Sequence, residues 1–194
     1  MQEQERPPLF CRKQGRHSLR IEIFQRKDEV FLLVGNDLIY VVSVDTDERY
    51  RGYMDVLEEY PDMEIIAVQT AAWQKDEAYL IVQNWIRNKE FDAVLSENDN
   101  MALGAVEAVY EANKEDDIRV YGVDGDMYML YSVRNGRANG TVYHDAIRQA
   151  DILYEYILDI MNGIQPPEKE YRIPFTEVTI DNVDQYIEVM EKYG

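Results

Sequence analysis

The sequence predicts an α/β fold, a mostly parallel sheet flanked by helices. Short apolar runs rich in β-branched residues alternate with segments of helical period, the signature of βαβ units with right-handed crossovers. Pro61, Gly136 and Gly163 fall between those segments, where a chain leaves one element and enters the next. At 194 residues and 46% hydrophobic content, the chain is long enough to bury a real core as one medium domain or one and a half small ones.

The elements follow in order. Residues 1–29 mix Pro7, Pro8 and many basic side chains, and only Leu19 to Phe24 alternates as a strand does, so this part reads as a tail or an edge strand. Val30 to Val34 and Ile39 to Val44 are short β-branched runs separated by Gly35, Asn36 and Asp37, which fits either a hairpin or two successive strands. Asp45 or Thr46 caps a helix with Tyr50, Tyr53, Met54 and Leu57 at helical spacing, ended by Pro61. Met63 to Val68 reads as a strand, residues 74–89 as a helix with Ala78, Ile81, Val82 and Trp85 inward, and Ala93 to Leu95 as the next strand. After a central helix come a strand at Val120 to Val123, a short helix at Met127 to Arg134 and a strand at Thr141 to Tyr143. Ala146 to Met161 forms a helix with a wide apolar stripe, Gly163 ends it, and Pro166 and Pro167 open a linker. Ile173 to Ile180 is extended, and a closing helix spans Asn182 to Lys192, capped by Asp181 or Asn182.

The stretch from Leu95 to Asp124 organises the rest. It holds a buried strand ending in a polar pair, a helix, and a second strand ending in a carboxylate, so Asn98 and Asp124 arrive at one rim. Open parallel sheets bind ligands at the carboxyl ends of their strands, which makes that rim the candidate polar site. The formal net charge of -18 repels phosphate backbones and argues against nucleic-acid binding. Cys11, the single cysteine, excludes an internal disulfide. The first 27 residues carry charges where a signal peptide needs an apolar centre, and no apolar run approaches the roughly 18 residues of a spanning helix. No G-x-S-x-G, phosphate-cradling glycine loop or metal-ligand spacing is present, and only His17 and His144 are histidine bases, so enzymatic chemistry is not expected. Asp124, Gly125 and Asp126 lack the further acids of a calcium loop. No cofactor is implied.

The segments RYRGYMDVL, SENDNMALGAVEAV, RVYGVDG and NGRANGTVYHDA resemble, in order and spacing, the C-terminal lobe of type I periplasmic sugar-binding proteins such as the ribose-binding proteins. The resemblance runs from Val30 to the C-terminus. It implies a Rossmann-like lobe over 30–145 and, over 146–194, a hinge-crossing helix, a return strand and a closing helix. It also implies a half-site: Asn98 bonding sugar hydroxyls, Asp124 accepting two neighbouring ones, Trp73 stacking on the apolar face of the ring, and His144 where a Gln is common. The sugar-gripping arginine of the family falls at Asp47, with Arg49 and Arg51 nearby as substitutes. The family's first lobe has no counterpart in the first 29 residues.

Each residue also has a plainer role: Asn98 and Asp99 as helix caps, Asp124 as a turn former, Trp73 as a core or lid aromatic, and His144 as a core histidine. The expected function is non-catalytic monosaccharide binding, as a truncated solute-binding component of an ABC uptake system, with the transporter's permease as partner. The alternative is the effector-binding domain of a lac-type transcriptional regulator. Relatives act outside the cytoplasm, whereas this chain as written shows no export signal. The apolar stripe of the 146–161 helix, left uncovered by a missing lobe, gives a further expectation of a homodimer or swapped dimer.

Overall fold

The computed structural model describes residues 21–26, 29–35, 38–42, 47–60, 63–164 and 173–193. The tail with Cys11 and His17, the turn at Asn36 and Asp37, the capping candidates Asp45 and Thr46, Pro61, and the linker at Pro166 and Pro167 lie outside these residues. The order is β1 (Ile21–Arg26), β2 (Glu29–Gly35), β3 (Leu38–Val42), α1 (Asp47–Glu58), β4 (Glu64–Thr70), α2 (Lys75–Asn88), β5 (Ala93–Ser96), α3 (Asp99–Glu111), β6 (Arg119–Asp124), α4 (Met127–Arg134), β7 (Gly140–Tyr143), α5 (Ala146–Met161), β8 (Thr176–Val178) and α6 (Val183–Tyr193).

One sheet carries all the strands, in the order β1-β2-β4-β3-β5-β6-β7-β8. Its middle, from β4 through β3, β5 and β6 to β7, is parallel, as helical crossovers require. Antiparallel pairing is added at the flanks, where β2 meets β1, β3 and β4, and β8 meets β7. The β2–β3 pairing resolves the two readings of residues 30–44 in favour of an antiparallel hairpin.

The core lies between the parallel strands and the helices. Val94 and Val120, paired in register on β5 and β6, are both almost wholly buried. Ala78, Ile81, Val82 and Trp85 are the buried residues of α2, the inward set that its period predicts. The buried residues of α3 include, beside Met101, Val106 and Val109, the small Ala102, Gly104, Ala105 and Ala108, and at Gly104 α2 packs close against it. A Cβ at Gly104 would stand 2.1 Å from the Lys75 carbonyl oxygen. Val178, Val183 and Ile187 bring β8 and α6 into the same core, with Tyr186 and Tyr143 in ring contact at 4.9 Å.

One detail differs from the sequence reading. Asn182 does not cap α6 from in front, because its side chain turns back, accepting from the Thr179 N–H and donating to the Glu177 carbonyl. The wide stripe of α5 is uncovered among the described residues, as the sequence leads one to expect: Ile152 is buried, while Leu153, Tyr154, Ile157, Leu158, Ile160 and Met161 are exposed.

Candidate functional site

Because β4, β3, β5, β6 and β7 run parallel, their carboxyl ends lie along one edge. Across that edge, in sheet order, the chain places Trp73 after β4, Arg49 after β3, Asn98 after β5, Asp124 at the end of β6 and His144 after β7. These are five of the six residues singled out in the sequence.

Asn98 precedes α3 in extended backbone, and its Oδ1 accepts the Met101 N–H at 2.8 Å, an N-cap that satisfies one of the helix's orphan donors. Its Nδ2 has no partner among the described residues. Asp124 is a residue under strain, with φ at 125°, a conformation that side chains other than glycine's rarely adopt. Arg49 reaches it from the first turn of α1: Nη2 lies 3.5 Å from Asp124 Oδ1, and Nη1 donates to the Glu97 carbonyl. Arg51, two residues further on, sits some 200° around the helix and is exposed, so Arg49 is the arginine of the rim.

Burial pushes the Asp124 carboxyl above the usual range, with Asp126 adding to that push. The Arg49 and His144 side chains and the Asp99 N–H pull it the other way. His144 also ties the rim through its backbone, donating its N–H to the Asp124 carbonyl at 3.0 Å, while its ring lies 5.2 Å from that of Phe175.

Trp73 belongs to the loop and not to the core. It is 39% exposed, and both it and Ala72 have left-handed backbone, at φ 63° and 46°. The core tryptophan is Trp85. Asn100 holds the loop, donating from Nδ2 to the Trp73 carbonyl at 2.6 Å.

The sequence reading did not single out Asp99, Asn100 or Thr141 as site residues. Asp99 is wholly buried, and it does more than cap a helix. Its Oδ2 accepts the N–H groups of Gly125 and Asp126, each at 2.7 Å, and its Oδ1 accepts the Thr141 hydroxyl at 2.6 Å. Burial outweighs these bonds and lifts its carboxyl to about 7. Gly122 makes the room, since a Cβ there would stand 2.2 Å from Asp99 Oδ1. The signal in the sequence was the run Glu97 to Asn100, four consecutive polar residues at the end of a buried strand.

Residues 32–165 match the model of the periplasmic binding protein domain. The chain belongs to the periplasmic binding protein family. It is 32% identical over 145 residues to a xylitol-binding protein of Mycolicibacterium smegmatis, covering 72% of this chain and 40% of the relative. It is 33% identical over 132 residues to a D-apiose import binding protein of Actinobacillus succinogenes, covering 67% and 41%. Among solved structures, an ABC transporter periplasmic solute binding protein of Actinobacillus succinogenes with bound D-allose superposes with a TM-score of 0.70 at 28% identity, over 77% of this chain and 54% of that one. A solute binding protein of Bacillus halodurans with bound myo-inositol gives the same TM-score and identity, over 78% and 54%. The chain thus spans about half the length of these family members, and the family's work is to bind solutes, not to transform them.

Proposed function

We propose that this chain carries one half of a binding site for a small neutral polyhydroxyl compound, a monosaccharide or sugar alcohol, as the C-terminal lobe of the solute-binding component of an ABC uptake system. The observation that carries the reading is the rim itself, where one edge holds an acceptor (Asp124), a cationic donor (Arg49), an amide with an unused amino group (Asn98) and an exposed aromatic (Trp73). A carboxylate with oxygens to spare accepts two neighbouring hydroxyls, Arg49 and Asn98 donate to ring and hydroxyl oxygens, and an indole face covers the C–H side of a sugar. His144 closes the rim beside Asp124. Binding is reversible, and no bond of the ligand is made or broken.

The names of the relatives support this chemistry: xylitol, D-apiose, D-allose and myo-inositol are all uncharged and rich in neighbouring hydroxyls. Half a site binds weakly. About four hydrogen bonds, most of them to charged groups and taken at about 2 kcal/mol each, with one stacking contact of about 1 kcal/mol, must offset roughly 4 kcal/mol or more of lost translational and rotational freedom, and so fall short of the roughly 8 kcal/mol of micromolar affinity. Closure against a second lobe, whatever chain supplies it, raises the affinity, and the permease then receives the ligand outside the cytoplasm.

The test is calorimetric titration of the chain with pentoses, hexoses, xylitol and myo-inositol, repeated with Asp124→Ala. Binding weaker than micromolar, at about 0.1–1 mM, that disappears in the variant is the expected outcome. Binding that survives Asp124→Ala unchanged refutes the assignment of the rim, and no heat from any of these compounds refutes the ligand class.

A further inference from the structure

Three successive residues at the start of α3 reach three different places. Asn98 caps its own helix, Asp99 reaches the loop after β6, and Asn100 reaches the loop after β4. The tie to the β6 loop is double: Asp99 accepts from the backbone of both Gly125 and Asp126. The chain has positive φ at Asp124 and Gly125, 125° and 80°; glycine adopts this freely, but at Asp124 it persists only where surrounding contacts hold it. On the far side, the loop at Ala72 and Trp73 is left-handed at both residues and is tied by the Asn100 amide.

We propose that Asp99 and Asn100 are positioning residues, which fasten the loop bearing the acid and the loop bearing the aromatic to a single helix end so that polar and stacking contacts are offered as one rigid surface. This deepens the binding reading above and rests on it for its consequence. The mechanism is geometric. Asp99 is wholly buried, its oxygens accept three donors from two other elements, and the absence of a side chain at Gly122 gives its carboxylate the room it occupies. The ionisable groups facing it are Asp124 and Asp126, with the Thr141 hydroxyl on the β7 side. Asparagine at 99 preserves the pattern, because its oxygen serves the two N–H groups while its amino group donates to the Thr141 oxygen. Alanine leaves all three donors without an acceptor.

The experiment is amide hydrogen exchange on the full chain, read at Gly125 and Asp126, for wild type, Asp99→Ala and Asp99→Asn. Asp99→Ala is expected to accelerate exchange at these two amides by about tenfold or more relative to Val94 and Val120, with Asp99→Asn within about threefold of wild type. Wild-type protection in Asp99→Ala overturns the proposal, as does an Asp99→Asn chain that exchanges like the alanine variant. Should Asp99→Ala not fold, Thr141→Val reads the same amides. Asn100→Ala is expected to raise acrylamide quenching of the exposed Trp73, and unchanged quenching overturns that half. A second arm titrates each variant with D-ribose, D-allose, xylitol and myo-inositol. If wild type binds and Asp99→Ala binds about tenfold or more weakly, the consequence stands; equal affinity overturns it. If wild type binds none of them, the binding reading falls, while exchange at Gly125 and Asp126 still decides the positioning role.

Discussion

Replacing Gly104 with alanine isolates the packing that sets the height of α3 and so of its first residues. The added Cβ meets only backbone: the Lys75 oxygen at 2.1 Å, the Tyr79 nitrogen at 3.0 Å and the Lys75 carbon at 3.1 Å. The first contact is more than 1 Å short of ordinary van der Waals separation, and no flexible side chain end is there to yield. Lys75 opens α2, and in an α-helix its carbonyl takes the Tyr79 N–H, so the intruding methyl sits against a backbone hydrogen bond as well as a surface. Alanine is the better helix former by about 1 kcal/mol, which offsets part of the strain. Overpacking against rigid backbone lies at the upper end of its range, about 3 kcal/mol, leaving a net loss of about 2 kcal/mol. For a chain of this length that lowers the melting temperature by roughly 4–8 °C, read by circular dichroism or calorimetry. A variant melting at or above wild type refutes the close approach of α2 and α3.

Further perturbations test other parts of the molecule. Burial lifts the Asp99 carboxyl to about 7 from its ordinary 3.8, so between those values the unfolded chain is ionised while the folded one holds a proton. The contribution to stability is therefore full below about pH 4 and is lost as pH rises through 7, and denaturant titrations of Asp99→Asn are expected to lack that decline. A wild-type profile as flat as the variant's refutes it. Arg49→Met removes a group that lowers the Asp124 pKa, so the carboxyl, followed by carbon-detected NMR, is expected to titrate higher than in wild type. No upward movement would separate the pair in solution. On α5, Leu153→Glu with Ile157→Glu alters exposed residues only and is expected to leave stability within about 0.5 kcal/mol while reducing binding of a hydrophobic dye; a clear drop in melting temperature would mean that the stripe is covered.

Much of the fold was legible because burial leaves a period. The buried residues of α2 are the very four that helical spacing selects, and the uninterrupted apolar strands at β5 and β6 announced a sheet covered on both faces. The rim was legible for a related reason: in a parallel sheet a polar residue just past an apolar strand has one place to go. The choice between Arg49 and Arg51 was not, since it depends on the rotation at which α1 leaves β3, and spacing along the chain does not fix that rotation. Asp99 escaped because its donors lie 26, 27 and 42 residues away, on elements whose adjacency is a property of the sheet order. Of the readings open for Trp73, a place in the core is excluded by its exposure, while its left-handed backbone and its tie to Asn100 are encoded in no local pattern.

Asn98 is where helix capping and ligand binding have to be separated, and its two ends make that separable. Capping uses Oδ1, whereas hydroxyl recognition by a donor requires Nδ2, which no described residue engages. Serine and aspartate cap about as well as asparagine, while alanine forfeits about 0.5–2 kcal/mol. Asn98→Ser is therefore expected to melt near wild type yet bind sugar more weakly, by about fivefold or more for one lost donor. Asn98→Asp keeps the cap and replaces the donor with an acceptor, placing a second carboxylate on a rim that already holds Asp124, so its affinity is expected to fall below that of the serine variant. Asn98→Ala loses stability and affinity together. Paired melts and titrations give each variant a position on two independent axes. If Asn98→Ser binds as well as wild type, the amide nitrogen is no part of the site and the residue is a cap alone; if affinity tracks melting temperature across all three, capping accounts for everything the residue does.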